Sequence, residues 1–291
     1  MEALRRRIEV RVMSLSGLAL GQIDYEHPEG DPGLFGPDSM PWEVHSDFTS
    51  MLVGGIASLL LQMLHPLALA GVWDHSNFRQ DMLGRLRRTG QFVAGTSFAP
   101  TASADWLIDK VRSIHLKVTG TAADGRRYAA SDPALLTWVH VAEVSCFLAG
   151  YLRYLNPQLS GAEQDRYYAE IALVAERLGA TDVPKSRQAV ADYLDAMRPQ
   201  LVCDERTREI CRILLNAPAP SRSAVPISRL FMQAGIDLLP AWTQQQLGLQ
   251  QAAWQRPLIR AGVHSLAPIL RWAVRNGASH RSRKRMGLPP R

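Results

Sequence analysis

The 291-residue chain is poor in cysteine and lysine and has no regular strand pattern. Its three cysteines, Cys146, Cys203 and Cys211, are an odd number with no C-x-x-C pair. That excludes a zinc knuckle, a disulfide framework and covalent C-x-x-C-H haem attachment. Lysine occurs only at Lys110, Lys117, Lys185 and Lys284, so arginine supplies most of the 33 basic side chains. G-x-G-x-x-G and G-x-x-x-x-G-K-[ST] loops are both missing, which removes the usual dinucleotide and P-loop chemistries. The paired E-x-x-H motifs of a di-iron carboxylate bundle and the H-E-x-x-H of a zinc protease are missing too.

With 46% hydrophobic and 21% charged residues, the composition is that of a globular protein. The net charge of +6 could point to nucleic acid, but the excess sits at the two ends, in "RRRIEVR" and "RNGASHRSRKRMGLPPR". No aromatic residue interrupts the second run to give bases a stacking platform. The expectation is therefore no nucleic-acid partner and a solvated, disordered basic tail over residues 275–291. Glu9 and Arg11 interrupt any apolar signal core at the N-terminus, which makes the expected location cytoplasmic. "SMLVGGIASLLLQMLHPLALAGVW", residues 50–73, is long enough to span a bilayer and carries no formal charge. Gln62, His65 and Pro66 in its interior, and the lack of a Lys/Arg cluster at its edges, favour a buried helix that ends or bends at His65-Pro66. No transmembrane segment is expected, and peripheral membrane contact is left open.

Apolar periodicity predicts an all-α fold, a single large helical domain over residues 1–274. Helices are expected near 3–21, 45–64, 67–73, 80–97, 102–118, 133–155, 161–179, 185–197, 204–215, 223–238 and 257–274. "HPEGDPGLFGPDSMPW" is an irregular Gly/Pro-rich connection, and "APAPSRSAVP", residues 217–226, reads as a linker. Only "TGTAADGRRYAA", residues 119–130, breaks the helical pattern, with a hairpin-type turn at Asp124-Gly125.

The helix beginning at Asp132-Pro133 is apolar on every side between Leu135 and Leu148, so it should be central, with His140 buried in it. A buried imidazole needs a partner, and Glu143 lies one turn on. From the residues alone two readings stand, a core histidine bonded within its own helix or a metal ligand. In "GRLRRT", Arg85, Arg88 and Thr89 share one helix face, which suits carboxylate recognition or, equally, a solvated basic surface; Arg87 points elsewhere. His65, His75 and His115 are read as structural, at a helix break, a turn and a helix end.

"LFGPDSMPWEVHSD", "VGGIASLLLQMLHPLALAGVWDHSNFRQDMLGRLRRT", "VRSIHLKVTG" and "YAASDPALLTWVH" form an ordered set that carries a resemblance. The chain resembles the MpaB / rubber-oxygenase (latex-clearing protein) catalytic-domain family from about residue 34 to residue 155, and more weakly through "MRPQL" and "DLLPAW". The resemblance implies a globin-like helical core around non-covalent b-type haem. It places the axial, metal-binding histidine of the W-V-H pattern at His140 and the haem-pocket residues at Arg85, Arg88 and Thr89. Where the latex-clearing branch has a lysine able to approach iron, this chain has Arg88, whose guanidinium is always charged and a poor ligand. An open or water-filled distal side is expected, with Arg88 as the catalytic hydrogen-bond donor. Glu143 is expected to reach the proximal imidazole. The implied function is a haem b oxygenase taking dioxygen and a small lipophilic substrate, isoprenoid or alkene-containing. The alternative is a haem-binding or haem-sensing protein without turnover.

Overall fold

A computed structural model describes the chain apart from residues 16, 22, 220, 290 and 291. Parts of the expected N-terminal helix, the 217–226 linker and the basic tail therefore lie outside the described residues. The helices, in order, are α1 (Glu2–Leu15), α2 (Met40–His45), α3 (Phe48–Gln62), α4 (Pro66–His75), α5 (Met82–Phe98) and α6 (Thr101–His115). After a hairpin of β1 (Thr119–Thr121) and β2 (Arg127–Ala129) come α7 (Pro133–Tyr154), α8 (Gly161–Leu178), α9 (Arg187–Met197) and α10 (Glu205–Leu215). The chain closes with α11 (Val225–Leu238), α12 (Ala241–Leu247), α13 (Gln255–Ala273) and α14 (Ala278–Arg285). The fold is all-α, as expected, with a single small antiparallel ribbon among the described residues.

Asp132 caps α7 by accepting from the Ala134 and Leu135 N–H groups at 2.9 and 3.1 Å, and Pro133 fills the first helical position. Its apolar circumference is then buried on all sides, chiefly against α3. The two helices approach closely because glycines stand at the crossing. A Cβ on Gly54 would lie 2.8 Å from the Cys146 carbonyl oxygen, and one on Gly150 would lie 2.6 Å from that of Ser50. Further along, Trp138 Nε1 donates to the Gln62 carbonyl and Gln62 Nε2 to that of Val139, both at 3.3 Å.

By length and composition α7 is the one helix, among the described residues, able to cross a membrane; 72% of that window is buried inside the protein. The apolar run at 50–73 breaks ahead of Pro66, and α3 and α4 meet at 103°. His65 caps the new helix, its Nδ1 accepting from Ala68 N–H at 3.4 Å. Burial lowers the His65 pKa to about 4, which keeps that nitrogen free to accept.

Several expectations need correction. The helix expected over 45–64 is α3, which starts only at Phe48 because Asp47 caps it by accepting from Ser50 N–H at 2.9 Å; α2 was not foreseen and begins inside the connection expected to be irregular. The short α12 was not foreseen. The basic tail is not a solvated coil where it is described, since α14 packs onto the body. Ser282 Oγ donates to the Phe98 carbonyl at 2.6 Å, and Arg285, 2% exposed, donates to the carbonyls of Asp31 and Tyr25. Arg281 and Lys284 pair with Glu26 at 3.3 and 2.6 Å, so the irregular N-terminal connection supplies the counter-charge that a sequence window around the tail does not contain.

Gly150→Ala should lower unfolding stability by about 1–3 kcal/mol, because the added methyl meets backbone that no rotamer change can move aside. Urea titration checks this; an unchanged midpoint would show that α3 and α7 can separate freely.

Candidate functional site

Leu136, His140, Glu143 and Phe147 fall at helical spacing along one side of α7. Facing them are His45 at the end of α2, Ser97 near the end of α5, and Tyr167 in α8. The α8 helix is held in place by a capping box between Ser160 and Glu163.

The proton positions around His45 follow from its partners. Ser97 Oγ donates its one hydrogen to the Val93 carbonyl at 2.7 Å, so toward His45 Nδ1, also at 2.7 Å, it accepts. Nδ1 therefore carries a hydrogen, and in the neutral ring Nε2 accepts from the Tyr167 hydroxyl at 2.8 Å. Burial, followed by the neighbouring His140, pushes the His45 pKa down to about 3, and burial raises that of Tyr167 well above its ordinary value. Both nitrogens of His45 are thus committed, and Phe147 packs edge-on against its ring at 5.3 Å.

His140 differs. Its Nε2 is buried and has no hydrogen-bond partner among the described residues. Burial lowers its pKa to about 4, so at neutral pH the ring is an uncharged base. Glu143 does not serve it as expected, because no hydrogen bond joins the two. Glu143 lies deep in the protein and is intermediate in exposure. Burial raises its pKa to about 7.

The other expected residues lie elsewhere on α5. Arg85 is half-buried and donates to Ser76 Oγ at 2.8 Å; burial, then Arg88, lowers its pKa to about 10. Among the described residues no carboxylate pairs with it, so it is a cation with capacity for an acidic group. Arg88 instead turns to solvent, 57% exposed and 3.6 Å from Asp81, the residue that caps α5. That placement lends no support to a catalytic Arg88. Thr89 is half-buried near the same end. Ser97, which links to His45, is eight residues further on, about 12 Å at the helical rise. A ligand touching both His140 and the Arg85 end must therefore be large.

A second unpartnered imidazole, His115, closes α6, with its Nδ1 buried and its pKa lowered by burial. It lies toward the Arg85 end of the α5–α6 pair. Four residues on, the Thr119 carbonyl accepts from His75 Nε2 at 3.1 Å, and His75 adjoins the Ser76 that holds Arg85. Sequence reasoning read His115 as structural and overlooked His45, whose role needs partners from three helices. Among the described residues no three His, Cys, Asp or Glu side chains cluster to hold a metal ion.

Compared with known protein families, residues 42–272 match the one described as "ER-bound oxygenase mpaB/B'/Rubber oxygenase, catalytic domain". The chain belongs to this family. The match runs from Trp42 in α2 to Trp272 in α13 and includes every residue discussed above as part of the site. No curated protein and no solved structure matches the chain. Membership in an oxygenase family makes it an oxidoreductase at that coarse level.

Glu143 gives the site a pH signature. Its pKa is raised on folding, so the folded state holds an extra proton between its ordinary value of 4.5 and about 7, and stability falls as pH rises through that window. Glu143→Gln should match the wild type in stability below pH 4.5 and exceed it increasingly up to about pH 7, by at most about 3 kcal/mol. Thermal unfolding across pH measures the difference; a gap that does not vary with pH would place Glu143 in water.

Proposed function

We propose that this family member is a haem-dependent oxygenase that uses dioxygen on a small lipophilic substrate, alkene-containing or isoprenoid, with haem b held non-covalently in a globin-like helical core. The single observation carrying the haem assignment is the buried, unpartnered Nε2 of His140. An orphaned nitrogen of this kind costs about 1–3 kcal/mol unless something bonds to it, and an axial ligand bond would use it. The residues present fit the group: a neutral imidazole with a buried, unbonded nitrogen and, at a distance along α5, a guanidinium with no carboxylate partner among the described residues, suited to a propionate.

In this reading His140 would bind the iron, and Arg85, with Thr89 beside it, would take a propionate. Arg88, at the solvent edge, serves the propionates as well. His45 is excluded as a competing ligand because Ser97 and Tyr167 occupy both its nitrogens, and the chain from Tyr167 to Ser97 holds that wall rigid. Glu143, with its pKa near 7, can hold or release a proton at its carboxyl oxygen close to neutrality. Phe147 and Leu136, both buried on the His140 side of α7, exclude water there. Haem, when bound, supplies the oxygen and electron-transfer chemistry that side chains lack.

A second assignment of the ligand has its own support: the unpartnered Nδ1 of His115, on the side where Arg85 lies. One experiment separates the two. The protein is expressed with haem supplied, and the visible spectra of His140→Ala and His115→Ala are compared with that of the wild type. Loss of the Soret band in His140→Ala alone is expected. Loss in His115→Ala alone would move the bond to α6, and a wild type without stoichiometric haem would end the proposal. Oxygen uptake dependent on an added alkene then distinguishes turnover from haem storage.

A further inference from the structure

A cavity of about 490 Å³ opens at the far end of α7, between α2, the start of α3, α13 and α14. Tyr151 on its wall is eleven residues beyond His140, about 16 Å along the helix, so this is separate from the His140 site. Its volume lies within the usual range of small-molecule sites. Three of the residues around it carry buried polar atoms with no hydrogen-bond partner: Trp42 Nε1, Thr49 Oγ1 and His280 Nδ1. Trp42 is 4% exposed and Thr49 fully buried, and the three residues come from α2, α3 and α14. Unsatisfied buried polar groups are costly one at a time, and three around one cavity point to a ligand that satisfies them.

The chemistry of that ligand follows from the donors. An indole N–H can only donate, so the missing partner must present an acceptor. The acids on the wall do not supply it. Asp47 is held by Arg271 at 2.7 and 3.2 Å and by Ser50, and Glu43 accepts from the Tyr151 hydroxyl at 2.6 Å. Arg283 adds a cation that has no carboxylate partner among the described residues; its Nε donates to the Pro289 carbonyl. The remaining surface is hydrocarbon and aromatic, from Phe48, Phe98, Leu155, Leu270 and Val274. We infer that this cavity binds an aliphatic carboxylate, its headgroup among Trp42, Thr49, His280 and Arg283 and its chain along the apolar wall. Because α14 lies beyond the segment matched to the family, the wall carrying His280 and Arg283 does not come with family membership.

Isothermal titration of the full chain with octanoate, and separately with 1-octanol, tests this. Octanoate should bind once per chain and about tenfold more tightly than the alcohol, the margin of one charge-assisted contact. Arg283→Ala and Thr49→Val should each weaken octanoate by about tenfold, with circular dichroism confirming the fold of each. Should Thr49→Val not fold, Arg283→Ala carries the test, since its half-buried side chain holds only a carbonyl near the chain end. His140→Ala should bind octanoate as the wild type does, so a failure of the haem proposal leaves this one standing. No saturable octanoate binding, equal affinity for the alcohol, or an Arg283→Ala protein that binds undiminished would each overturn it.

Discussion

The contact on which the structure depends is the one between α3 and α7 made without side chains. At Gly54 and Gly150 a Cβ would come within 2.8 and 2.6 Å of backbone oxygen on the opposite helix. Such proximity fixes the axial register of α7 as well as its distance, because a slide in either direction would bring a larger residue to the crossing. The hydrogen bonds between Gln62 and the Trp138–Val139 turn set the register again at the other end. With α7 held at two points, the side that carries His140 and Glu143 is aimed at α2 and α8, and the end that carries Tyr151 and Leu155 is aimed at α13. The placement of the His140 wall and that of the cavity beside Tyr151 both follow from one helix–helix contact.

Dryness does the rest at the His140 wall. An imidazole in water exchanges tautomers freely, but His45 has one arrangement because Ser97 has spent its hydrogen on Val93. Tyr167 must then donate, and the sequence of donors is ordered across three helices. His140 and Glu143 sit beside this saturated chain without joining it. A buried base and a buried acid whose pKa values are pushed to about 4 and about 7 are both uncharged over a shared pH range, which is how a low-dielectric wall tolerates them. Local rules of packing are broken there, and sites that bind something are where such violations concentrate.

Most helices were legible because their signals are local. Asp132-Pro133 before α7 and Ser160 with Glu163 before α8 can be read within four residues, and the apolar run of α7 announces its own centrality. The short α2 was less visible, since its cap Ser39 and Pro41 sit in a Gly/Pro-rich stretch that reads as irregular connection. The packing of α14 was invisible for a different reason: its counter-charges are some 250 residues away in sequence, at Glu26. Within the site, His140 stood out as a polar interruption of an apolar helix. His45 did not, because nothing in "PWEVHSD" foretells Ser97 and Tyr167. Shared helix face also proved a weak guide for Arg85 and Arg88, which the spacing grouped and the structure divides between interior and solvent.

That division bears on which imidazole can work with the arginines. Arg85 is desolvated with a neutral hydroxyl as its partner, an arrangement that leaves a full charge poorly compensated. Whatever neutralises it must be acidic and must reach the start of α5. His140 neighbours the other end of that helix, through His45 and Ser97, so one ligand meets both requirements only if it extends along about three turns of α5. A compact acid could satisfy Arg85 alone and would leave Nε2 of His140 bare. Under the haem proposal, one molecule with an acidic edge would have to reach from the start of α5 to the His140 wall, a demand that a compact acid could not meet.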